Sequence, residues 1–149
     1  MSASLLVALA VMAGSQLYKL VVATIRDRRL RLAAVVSTGG MPSAHSAFVT
    51  ALAVSLALWR GVDSELFAIS AAFASIIVYD SVRLRGMVDI HTRILRDLQA
   101  RVGGSSGIRI PRWVGHSTAE TLVGIAVGAA AGLLAYLLLR PVFPTGILR

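Results

Sequence analysis

The segment GGMPSAHSAFVTALAVSLALW, residues 39–59, changes character part-way along. Its first part, Gly39-Gly40-Met41-Pro42-Ser43, is a small-residue loop leading into a helix, and its two glycines and the helix N-terminus offer backbone N–H groups to an anion. From Ala44 to Trp59 the chain is mostly apolar. The apolar run proper, residues 46–59, is short for a bilayer, whose crossing takes roughly 20 apolar residues. It spans only if the helix starts near Ser43 and its polar first turn is sheltered inside protein. The segment therefore predicts a membrane helix that begins in a glycine-serine turn and is surrounded by other helices.

Companion helices lie on both sides. Residues 5–25, 66–82 and 121–139 are the other apolar stretches; the first is interrupted by Ser15, Gln16 and Lys19, and the third is at the short limit. The 149 residues fit one domain, and composition places it in a membrane: 56% hydrophobic, 15% charged, with a mean hydropathy of +0.77. The first stretch is not a signal peptide in character, since no Lys or Arg precedes it and its apolar run is too long. With no cysteine, a disulfide framework and a thiolate metal site are both excluded. The predicted fold is all-α, an integral membrane bundle of about four spanning helices in a single domain over residues 1–149. An amphipathic helix on the cytoplasmic face is added by residues 87–102, where Met87, Ile90, Ile94 and Leu98 recur at helical spacing.

Charge orients the bundle. Arg26, Arg28, Arg29 and Arg31 follow the first helix, and Arg83, Arg85, Arg93, Arg96, Arg101, Arg109 and Arg112 follow the third, whereas the opposite side holds Arg60, Arg140 and Arg149. Eleven against three predicts both long loops inside and both termini outside. The net charge of +8 is thus a topology signal and a headgroup attraction, and nucleic acid is not an expected partner. Absence of cysteine and preference for Arg over Lys fit a bacterial inner membrane. Gly124, Gly128 and Gly132 form a small-residue ridge that permits close packing within or between protomers.

Polar groups at a membrane helix are costly, and here the topology collects them at one face. Lys19 and Arg26 lie two turns apart on the first helix. The Gly40–Ser43 turn and His45 open the second, Asp80 closes the third, and His116 with Glu120 opens the fourth. Two imidazoles, a carboxylate at i+4 from one of them, several cations and backbone N–H groups are the equipment of phosphoryl transfer. The cations oppose a divalent metal among His45, His116, Glu120 and Asp80, so no metal and no cofactor are expected. His91 reads as a solvated residue of the amphipathic helix.

The motifs GGMPSAHSAFVTALA, YDSVRLRG and GHSTAETLVG resemble the divergent branch of the type 2 phosphatidic acid phosphatase and vanadium haloperoxidase-related superfamily, over roughly residues 16–134. The superfamily pattern is a Lys and an Arg seven apart, then Pro-Ser-Gly-His, then an Arg upstream of His-xxx-Asp. Lys19 and Arg26 match the first part, with Arg28 a rival for the phosphate contact. Pro42-Ser43-Ala44-His45 matches the second with Ala44 for glycine, and His116 with Glu120 matches the third with Glu for Asp. Ile110 stands where the upstream Arg is expected; Arg85 is the substitute, with Arg109 and Arg112 as alternatives.

The resemblance implies a metal-independent phosphomonoesterase acting on a lipid-linked or amphiphilic phosphate at the cytoplasmic face. His116 is the implied nucleophile, Glu120 orients it, and His45 protonates the leaving alcohol. Lys19, Arg26, Gly40, Ser43 and Arg85 are the implied phosphate-binding residues. Membrane lipids are the implied surroundings, and four helices are few to enclose such a site, which leaves room for a homodimer. The competing reading is a non-catalytic membrane protein that binds anionic lipid or phosphate at a degenerate site; a transporter is disfavoured by the lack of inverted repeats.

Overall fold

A computed structural model describes residues 2–29, 40–102 and 117–141. Among these the chain forms four helices: α1 (Ala3–Asp27), α2 (Ala44–Arg60), α3 (Glu65–Val102) and α4 (Thr118–Leu139). The all-α bundle expected from the sequence is what forms. α1, α4 and the Glu65–Arg83 portion of α3 are each long and apolar enough to cross a membrane, and α2 is a shorter apolar helix of 17 residues.

α2 is the centre of the bundle and packs against each of the other three helices. Its composition explains this. Ala44, Ser46, Ala47, Val49, Ala51, Ala53, Ser55 and Trp59 are buried, and most are small enough to let three neighbouring helices approach at once. As the sequence requires, α2 starts directly after Ser43, and its first turn is sheltered: Ser43, Ala44 and Ser46 are at most 1% exposed.

The glycine ridge of α4 is the counterpart of that surface. A Cβ on Gly124 would stand 2.6 Å from the Ser43 carbonyl oxygen, and one on Gly128 would run into the carbonyl of Ala47. Gly132 meets Val54 and Ala51. All three glycines therefore serve contact within the protomer. At the far end of the same pair, the Trp59 and Tyr136 rings meet edge to face with centroids 5.2 Å apart, and the Arg140 guanidinium lies over Tyr136.

α3 differs in extent from its expectation. The spanning stretch and the amphipathic stretch are one uninterrupted 38-residue helix: no proline separates them, and the backbone stays helical through Gly86. The expected glycine link at residues 103–107 lies outside the described residues.

Candidate functional site

The antiparallel course of the helices brings the end of α1 and the starts of α2 and α4 to one end of the bundle. The turn before α2 is the meeting point. Gly40 has φ +98°, a left-handed conformation that favours glycine, and the peptide between Met41 and Pro42 is cis. Ser43 then caps α2: its Oγ accepts from the Ser46 backbone N–H at 3.4 Å and from the Ser46 hydroxyl at 3.0 Å. Its own backbone N–H donates to the Glu120 carbonyl at 3.0 Å, tying the turn to the first turn of α4. From the other side, the Lys19 stem reaches the turn; a Cβ on Gly40 would lie 3.9 Å from Lys19 Cδ.

Lys19 is buried although charged, while Arg26, two turns on, has an 85% exposed side chain and lies 3.9 Å from Asp27. The difference follows from length: α1 runs on past the start of α2, so Lys19 is covered and Arg26 is not. α1 ends with Arg28 in a left-handed cap conformation at φ +51°. His45, the second residue of α2, is exposed at the same end, where the positive pole of the helix dipole lies.

Glu120 takes part in a reciprocal cap. Its Oε2 accepts from the Ser117 backbone N–H at 3.0 Å, and Ser117 Oγ accepts from the Glu120 N–H at 3.2 Å. The carboxylate thus grips the peptide immediately after His116. The signal for it, Ser117-Thr118-Ala119-Glu120, is a capping box legible in sequence, and the family pattern drew attention to His116 instead. His116, Arg109 and Arg112 lie outside the described residues. Arg85 belongs to the α3 backbone and its side chain lies outside them too.

Lys19, Gly40, Ser43 and Glu120 are therefore joined by contacts in the structure, His45 stands at the same end, and Arg26 stands apart in solvent. Asp80 and His91 are exposed on α3. Among the described residues no group of three His, Asp or Glu side chains is placed to hold a metal ion. Thr121, next to Glu120, is buried with its Oγ1 lacking a hydrogen-bond partner among the described residues.

A family profile described as "Divergent PAP2 family" matches residues 1–131, which include Lys19, the Gly40–Ser43 turn, His116, Glu120 and the first two glycines of the ridge, Gly124 and Gly128. The chain belongs to the Divergent PAP2 family. Among curated proteins it is similar to the uncharacterized membrane protein YuiD of Bacillus subtilis (strain 168), with 48% identity over 81 residues. That match covers 54% of this chain and 51% of the relative, so it extends over about half the length of each. No solved structure matches this member of the Divergent PAP2 family. Family and relative agree with the bundle in making this an integral membrane protein.

Proposed function

We propose that the chain is a metal-independent membrane phosphatase that hydrolyses a lipid-linked or amphiphilic phosphate monoester at the cytoplasmic face. The observation that supports this most is the junction around the Gly40–Ser43 turn. A buried lysine from α1 and the N-terminus of α2 converge there, and a main-chain bond holds that turn against the segment that follows His116. A phosphate at this end would meet cations and N–H donors at headgroup depth.

The reaction has two steps. A His116 nitrogen attacks phosphorus and the P–O bond to the alcohol breaks, while His45 gives its proton to the departing oxygen. Water, deprotonated by His45, then attacks the phosphohistidine; the P–N bond breaks and inorganic phosphate leaves. Glu120 keeps the first turn of α4 in place and so positions His116. Lys19, Gly40, Ser43 and Arg85 hold the phosphate oxygens, with Lys19 nearest the turn, and Arg26, exposed beyond it, meets the headgroup from solvent.

A second reading draws on the same site. Glu120 is engaged in a helix cap, Ala44 replaces the glycine of Pro-Ser-Gly-His and Ile110 replaces an arginine, which together favour a non-catalytic protein that binds anionic lipid or phosphate. Phosphate release by the purified protein in detergent separates the two, using a panel of lipid phosphates with chelator present. The enzyme releases phosphate, and His116→Ala abolishes release while leaving the thermal midpoint unchanged. A folded protein that releases nothing, yet loses lipid binding on Lys19→Met and not on His116→Ala, is the binder.

A further inference from the structure

Most of the α3 surface is exposed, and one apolar stripe of it runs the length of the helix. Taken at a heptad spacing from its first turn, Leu66, Phe73, Asp80, Met87 and Ile94 occupy one set of positions, and Ile69, Ile76, Arg83, Ile90 and Asp97 the other. All ten are exposed. A different face is marked by buried Ser70, Ser81 and Thr92, which recur every eleven residues and whose hydroxyls bond to α3's own carbonyls. The outward face is therefore unpartnered in the protomer.

We propose that this face pairs with the same face of a second copy of the chain, the two α3 helices forming a parallel coiled coil through the membrane and beyond it. Its physical environment decides the occupant. The first half, Glu65–Arg83, is apolar enough to lie in the bilayer, and the remaining 19 residues carry the helix about 28 Å further along its axis. Lipid can cover Leu66 to Ile76, but it does not cover the far end of a helix that continues out of the bilayer. Water surrounds that end, yet Met87, Ile90 and Ile94 are large, apolar and at least half exposed. A partner that suits both halves must itself change from membrane to aqueous surroundings at the same height, as a second α3 of the same orientation does.

Charge within the seam points the same way. Asp80 and Arg83 are the residues of this face that fall where the apolar stretch ends, opposite in sign and three positions apart. Asp80 belongs to neither the Arg26–Asp27 nor the Arg101–Asp97 ion pair. In a parallel pair, adjacent layers place Asp80 of each protomer beside Arg83 of its partner, giving a neutral set of four charges flanked by apolar layers on both sides. The seam ends at the Asp97–Arg101 pair, bonded at 2.9 Å.

Because the natural chain has no cysteine, single-cysteine variants test this directly in native membranes. Phe73→Cys, Met87→Cys and Ile94→Cys are expected to give disulfide-linked dimers on mild oxidation, whereas Ser75→Cys and Leu95→Cys, exposed on other faces of α3, stay monomeric. Equal cross-linking at all five sites, or none at the three seam sites, overturns the proposal in favour of lipid and water covering the face. In the Met87→Cys background, Asp80→Arg or Arg83→Asp alone is expected to abolish the dimer, and the double reversal to restore it. Unchanged cross-linking in the single reversals, or no recovery in the double one, rejects the charged layer. Neither readout depends on phosphatase activity.

Discussion

The backbone N–H of Ser43 donates to the backbone carbonyl of Glu120 at 3.0 Å, which locks the turn before α2 to the first turn of α4. Two segments about eighty residues apart in sequence are joined main chain to main chain, where no side-chain substitution can remove the bond directly. What can disturb it is spacing, and spacing here is set by glycine.

Gly124→Ala places a methyl group 2.6 Å from the Ser43 carbonyl oxygen, and backbone cannot move aside as a flexible side chain would. The expected destabilisation is about 1–3 kcal/mol, as for overpacking of a close contact. It should be read as a lower thermal midpoint in detergent, together with loss of phosphate release. Gly14→Ala in α1 is the control: nothing lies within 4 Å of its added Cβ. That change should leave stability unchanged or raise it by about 0.5–1 kcal/mol through helix propensity.

Glu120 can be tested for two roles separately. Glu120→Ala removes the acceptor for the Ser117 N–H and should cost about 0.5–2 kcal/mol of stability. Glu120→Gln retains an acceptor and should keep the thermal midpoint. If turnover also survives in Glu120→Gln, the residue acts through the cap alone; a stable, inactive Gln variant indicates that the negative charge itself serves the reaction.

Lys19→Met keeps the length of the buried stem and removes the charge. The protein should remain folded. Loss of one charge-assisted contact to phosphate corresponds to about 1.5–3 kcal/mol, or roughly a tenfold to hundredfold rise in KM. An unchanged KM would remove Lys19 from the phosphate site and leave it a structural lysine between α1 and the turn.

Ser55 is fully buried in α2, with a hydroxyl that has no hydrogen-bond partner among the described residues. Replacing an unsatisfied buried polar group by an apolar one of similar size is neutral or favourable, so Ser55→Ala should leave the thermal midpoint unchanged or raise it. A clear drop would show that the hydroxyl is bonded within the membrane.

Much of this architecture is legible in the residues. Length and apolarity place α1, α3 and α4, and the Ser43 cap is readable from Pro42-Ser43 before an apolar run. The need for α2 to be sheltered also follows from its shortness. Other features depend on tertiary context. The extension of α3 through residues 84–102 was hidden by a change from wholly apolar to amphipathic sequence, which looks like a boundary although the backbone does not break. The glycine ridge showed that some helix comes close, and only packing reveals that it is α2. Lys19 and Arg26 share a helix face, yet one is buried and the other exposed, since burial depends on where a neighbouring helix begins. The Ser117–Glu120 cap was open to reading from its spacing, but the two histidine motifs offered a more chemical account of the same glutamate.

The central position of α2 also bears on biogenesis. A helix of 17 residues is short of the roughly 20 that cross a bilayer, which makes it a weak signal for partitioning into lipid by itself. The connection from α2 to the longer α3 is only residues 61–64, tight enough for the two to be inserted as one hairpin. Truncation after Arg60 is thus expected to strand α2 on the side of synthesis, while a chain continued through Arg83 carries it across; protease protection in a membrane-insertion assay distinguishes the two. On this view the segment that carries His45 acquires its membrane address from the helix that follows it.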